Sequence, residues 1–84
     1  MMSNQTTRVK HVSYFRDDTD ARGFEKYLYD TGAASGRTDD GEGAICVTAI
    51  LQAGSDPRDL RWQERTLGRT AEHFNGEYGG WEAA

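Results

Sequence analysis

Cysteine and proline occur once each in the 84 residues, as Cys46 and Pro57, and histidine twice, as His11 and His73. A single thiol inside an apolar run argues against a disulfide framework or a cysteine metal site, and implies a reducing, cytoplasmic setting. The histidines are far apart and neither has an acid or cysteine at ligand spacing. Ordinary structural or surface roles are expected of both, with no metal and no cofactor. Long apolar runs are also missing: none approaches the ~18 residues of a spanning helix. Met1 to Lys10 has no apolar core of a signal peptide. Ten Lys and Arg stand against 14 Asp and Glu, a net charge of -4. That balance disfavours broad electrostatic binding of nucleic acid and directs attention to where the arginines lie. Catalytic motifs are equally scarce. Ser13, Ser35 and Ser55 have no nucleophile-elbow context, and no helix with a Lys-Ser/Thr pair follows Gly76, Gly79 and Gly80. Asp17, Asp18 and Asp20 are accounted for by helix capping and the helix dipole.

What is present divides by punctuation into six elements within one expected domain, residues 1–84, with 1–8 expected to fray. A chain of this size buries only about 60% of its unfolded surface, which leaves room for one core and no deep cleft. Val9 to Phe15 is rich in β-branched and aromatic residues, apolar on both faces, and reads as a central strand. A helix follows from about Asp20 to Thr31, with Ala21, Phe24, Tyr27, Leu28 and Thr31 on one side and Gly32 closing it. Ala33 to Thr38 is weak strand material suited to an edge, and residues 39–43 form a turn by composition. Ala44 to Leu51 is the most apolar run, a central strand with Ile45, Val47, Ala49 and Leu51 on one face and Cys46, Thr48 and Ile50 on the other. Asp56 as cap and Pro57 as first helical residue start a second helix running to about Phe74. Its apolar stripe is Leu60, Leu67, Ala71 and Phe74, and Gly68 within it points to close packing. Asn75-Gly76 then stops the helix and feeds a short final strand carrying Tyr78 and Trp81. This order is that of a ferredoxin-like α+β sandwich, an antiparallel sheet with two helices on one face. Trp81 is expected to be largely buried by the first strand or helix, because its area is costly to leave in water.

The ending Gly76-Glu77-Tyr78-Gly79-Gly80-Trp81-Glu82 resembles that of the RraB family, small bacterial proteins named for regulation and inhibition of ribonuclease E. The resemblance extends over nearly the whole chain. The strand ending in Val12 to Phe15, the acids and helix after it, the Asp40-Gly41-Glu42 turn, the Ile45-Cys46-Val47 strand and the acid-capped second helix match in order and spacing. The sequence departs at Gly79, where the family pattern favours Asp, and ends at Ala84, where longer members continue into an acidic tail. The resemblance implies a non-catalytic regulator that binds a protein partner, by that likeness a ribonuclease E-type endoribonuclease.

One surface stands out from the residues themselves. On the second helix Arg58, Arg61, Arg65 and Arg69 fall within roughly 80° of one another, with Trp62 beside them and opposite the apolar stripe. A solvated face with Glu64 and Glu72 as partial partners is one reading. The other is a partner site, since an outward tryptophan among arginines has the composition of an interface hot spot, and like charges four residues apart weaken a helix. Tyr78 and Trp81 are open to the same pair of readings, as cover for the sheet edge or as aromatic contacts. An RNA-contacting module using the arginine face is an alternative, and a small-ligand sensor or enzyme on the open sheet face is a second. The same open face, with Thr48, Ile50 and parts of the first strand, is expected to pair two subunits.

Overall fold

A computed structural model describes residues 7–39, 41–54 and 56–84. In chain order its elements are β1 (Thr7–Phe15), α1 (Asp18–Asp30), β2 (Ala34–Asp39), β3 (Ile45–Ala53), α2 (Pro57–His73) and β4 (Glu77–Ala83). The four strands form one antiparallel sheet in the order β2-β3-β1-β4. The apolar β1 and β3 are central and the polar β2 is an edge strand, as their compositions require. This is the ferredoxin-like α+β arrangement: each helix connects two strands that have a third inserted between them.

Alternation along the strands assigns the two faces. Val9, His11, Ser13 and Phe15 of β1 and Val47, Ala49 and Ala53 of β3 are buried on the helix side. Ala21, Phe24 and Leu28 of α1 and Leu67 and Ala71 of α2 close over them. The Phe15 and Phe24 rings meet at 5.0 Å. Val12, Tyr14, Cys46, Thr48 and Ile50 lie on the opposite face and are half-buried or exposed.

Both helix starts are capped by aspartate: Asp17 accepts from the Thr19 N–H at 2.8 Å, and Asp56 accepts from the Arg58 N–H at 2.9 Å. Helix α1 ends with Gly32 at φ 80°, and α2 ends with Asn75 at φ 61°, both in the left-handed region that a helix stop uses. Arg37 of β2 reaches over to Asp18 and Glu25 of α1 and fastens the edge strand to the helix.

Three expectations are corrected. Strand β1 begins at Thr7, so Thr7 and Arg8 are paired with β3 and not frayed; residues 1–6 lie outside the described residues. Gly68 is not a close-packing position, since a Cβ there would meet only the Tyr78 Cβ at 3.9 Å, an ordinary contact. Glycines that packing does demand include Gly23, where a Cβ would stand 2.6 Å from the Phe74 ring, and Gly76, where it would clash with the Phe15 ring.

The third correction concerns Trp81, which remains 43% exposed. The final strand does not flap: β4 pairs with β1 as far as Ala83. Its register slips between Val12 and Ser13, leaving Gly79 as the extra residue of a bulge. Tyr78 and Trp81 are three apart and would face opposite ways in a regular strand; the bulge turns both toward the helices, opposite Ser13 and His11. The space above His11 is already filled by Gln63 of α2. Trp81 therefore lies at the flank of α2, with its indole N–H donating to Glu64 at 2.9 Å.

Candidate functional site on the second helix

Helix α2 separates two kinds of chemistry. Its inner face buries Gln63, Leu67 and Ala71. Gln63 sits four residues before Leu67, within the stripe that otherwise docks on the sheet. Its Nε2–H donates to the Gln52 carbonyl at 2.9 Å, which leaves Oε1 to accept from His11 Nε2–H, also at 2.9 Å. His11 Nδ1 is then the acceptor for the Tyr78 hydroxyl at 2.8 Å. This chain of bonds runs from β4 through β1 and α2 to β3, and it fixes His11 as the neutral Nε2–H tautomer. Among the described residues no buried side-chain polar atom lacks a partner.

Burial holds the His11 pKa below its ordinary value, against the opposing pull of the Gln63 bond and the Glu64 charge. Burial likewise pushes the Tyr78 phenol up to about 12, with Glu64 adding to the shift. Tyr78 is therefore an internal anchor, half-buried and bonded to His11, and is not brought together with the arginine face. His11 has both ring nitrogens occupied and the solvent closed off, with 1% exposure. His73 is exposed and packs edge-on against Phe74 at 5.0 Å. Among the described residues no three metal-ligating side chains converge.

The outer face carries Arg58, Arg61, Trp62, Arg65 and Arg69, all exposed, with Trp62 at 66%. Arg58 is committed to Asp56, bonding Oδ2 through Nε at 3.1 Å and Nη2 at 2.8 Å. That contact holds the Asp56 carboxyl below its usual range and raises the Arg58 guanidinium. Arg61, Arg65 and Arg69 form no ion pair among the described residues. The pairing with Glu64 that a solvated face would offer is not formed among the described residues; Glu64 accepts from Trp81 on the β4 flank. Glu72 forms no ion pair there either. Among the described residues the repeated positive charge on this face is thus only partly compensated, by Asp56, which pairs with Arg58 and acts on Arg61, at a cost to the helix.

Trp62 also stands at the edge of an apolar cleft of 170 Å³ between α1 and α2. Tyr27 and Thr31 line one wall, Trp62 and Thr66 the other, and Leu51 and Leu67 the floor. Sequence periodicity did not reveal this cleft, because it depends on how the two helices part over the sheet. Trp81 is placed on the opposite flank of α2, so the two tryptophans belong to different surfaces.

Comparison with known proteins agrees with this architecture and places the chain. Residues 3–83 match the family described as RraB, Regulator of ribonuclease activity B. No curated protein matches the sequence. Among solved structures, an ACT domain protein from Streptococcus pneumoniae is similar, with a TM-score of 0.65 and 10% identity over 95% of this chain and 92% of that one. At that identity the likeness is one of fold alone. Gly79, where the family pattern favours Asp, is the bulge residue: a Cβ there would come within 2.5 Å of the Tyr14 ring. In this chain glycine at 79 and the tyrosine at 14 fit one another.

Proposed function

The chain belongs to the RraB family of regulators of ribonuclease activity, and from that premise we propose that it acts without catalysis, by binding a protein partner through the outer face of α2. The partner we infer is a ribonuclease E-type endoribonuclease. The observation that carries the choice of surface is Trp62, a large aromatic left 66% exposed between Arg61 and Arg65, which form no ion pair among the described residues. A tryptophan beside arginines is the composition in which binding energy concentrates at interfaces. The regulatory reading is also supported by the chemistry of the buried groups. His11, the one histidine held in a defined geometry, spends both nitrogens on structural bonds and has no access to a substrate.

The test is calorimetric titration of a purified ribonuclease E-type endoribonuclease with the parent protein and with folded Trp62→Ala and Arg65→Glu variants. Binding weakened tenfold or more by each variant is expected. Equal binding by both would remove α2 from the interface, and absence of binding by the parent would remove this class of partner. The RNA-contacting alternative predicts instead a steep loss of oligonucleotide affinity with added salt, one phosphate contact adding about 0.7 to the slope for a single strand.

A further inference from the structure

The helices α1 and α2 do not lie evenly against each other. Near the start of α1 they meet, because Gly23 admits the Phe74 ring where any side chain would clash. One and two turns further along α1, at Tyr27 and Thr31, the facing residues are Thr66 and Trp62, and the seam opens into the 170 Å³ cleft. A dry apolar cavity of about 150 Å³ accommodates a benzene ring, so the space is of the right order for one aromatic or branched aliphatic side chain. Its floor is aliphatic. Of the polar groups at its margin, the Thr31 hydroxyl donates to the Leu28 carbonyl and the Gln63 amide is spent on His11 and Gln52, which leaves the Tyr27 and Thr66 hydroxyls. Such a slot can hold a hydrocarbon plug and has little with which to read a base edge.

Charge around the slot is one-sided. On the α1 side Lys26 is neutralised by Asp30 at 3.0 Å. On the α2 side Arg61 and Arg65 share a shallow depression with Trp62 and form no ion pair among the described residues. This positive rim belongs to a protein whose overall charge is -4. A local cationic margin on an acidic chain favours a negatively charged segment and gives no general attraction to polyanions.

We propose that the α1–α2 cleft and its arginine rim form a docking site for an acidic linear segment of a protein partner, with one large apolar side chain of that segment inserted between Tyr27 and Trp62. The inference rests on the reading of α2 as the interaction surface and specifies what it takes. Insertion would cover the exposed indole and bring carboxylates to Arg61 and Arg65, joining an apolar anchor to charge-assisted bonds at its edge.

The experiment is amide and indole NMR of the full chain, titrated with a short peptide of glutamates around one central phenylalanine. Saturable shifts are expected at the Trp62 indole and at Thr31 and Thr66. A peptide with alanine in place of the phenylalanine should bind at least tenfold more weakly. Thr66→Phe, which fills the slot and leaves the arginines in place, should weaken the phenylalanine peptide by a similar factor. A shift map that follows Arg61 and Arg65 but is indifferent to the phenylalanine overturns the slot while leaving the arginine face as a contact surface. Absence of any saturable shift on α2 overturns both. Tighter binding of oligouridylate to the same resonances would make the cleft a nucleic-acid site and overturn the peptide. Shifts there that depend on protein concentration alone would assign the cleft to a second copy and overturn the peptide as well.

Discussion

The bonded series from Tyr78 through His11 and Gln63 to the Gln52 carbonyl is the part of the molecule where a small change should have the largest readable consequence. Replacing Gln63 with Leu keeps volume on the inner face of α2 but removes the donor to the Gln52 carbonyl and the acceptor for His11 Nε2–H, which is buried at 1% exposure. A buried donor left without a partner costs about 1–3 kcal/mol, and the gain from burying leucine offsets only part of it. A net loss of about 2 kcal/mol is expected. A chain of this length has of the order of 4–12 kcal/mol of stability, so the loss is a sizeable fraction and shifts the melting temperature by roughly 8–16 °C. Removing the donor as well, in the double variant His11→Phe with Gln63→Leu, should restore about 1–2 kcal/mol relative to the sum of the single changes, because the orphaned group is gone. Urea unfolding at pH 8 measures all four corners of the cycle. Below that pH His11 adds a second signature. Its folded pKa lies below the ordinary value of 6.5 because burial disfavours the imidazolium, so the unfolded chain binds the proton first. The contribution is complete above about 6.5 and is lost as pH falls from there through the folded pKa. His11→Phe should flatten the stability profile across that interval. Strictly additive single effects, or a Gln63→Leu cost under about 0.5 kcal/mol, would refute the series as a coupled structural unit.

Three further outcomes follow from the packing. Gly68→Ala should stabilise the protein by about 0.5–1 kcal/mol, since α2 gains helix propensity and the new methyl meets only the Tyr78 Cβ at 3.9 Å; a lower melting temperature would contradict that geometry. Trp81→Ala, at a half-exposed flank, should cost about 1–2 kcal/mol, less than the roughly 2–5 kcal/mol of Leu67→Ala in the core, and denaturant titrations that reverse this order would reinstate Trp81 as a core residue. Pairing of two copies across the open sheet face, where Val12, Thr48 and Ile50 are half-buried, predicts a sedimenting dimer that Thr48→Lys dissociates, and a clean monomer at high concentration would exclude it.

Elements whose signals are local were legible in the sequence. Asp56-Pro57 marks a helix start with two independent physical cues, and the structure begins α2 there. The contrast between Ala44 to Leu51 and the polar stretch before it is enough to place β3 inside the sheet and β2 at its edge. The exposed disposition of Trp62 and the arginines follows from helical periodicity alone, because the opposite stripe must dock.

What periodicity could not supply is anything created by two elements meeting. Gln63 looks like a misplaced polar residue until β1 brings His11 beneath it, and the only hint was its place on the Leu60/Leu67 side of the helix. The cost of its area points Trp81 to the interior only if a side chain is free to find cover. The bulge at Gly79 turns Trp81 the right way, but the position over His11 is already occupied by Gln63, so the indole is left at the margin with Glu64. That displacement bears on the surface proposed on α2. By donating to Glu64, Trp81 meets that carboxylate on the β4 flank, where it forms no ion pair with Arg61 or Arg65 among the described residues. On the proposed reading Trp81 acts on recognition only through the placement of Glu64, from a flank that does not include Trp62.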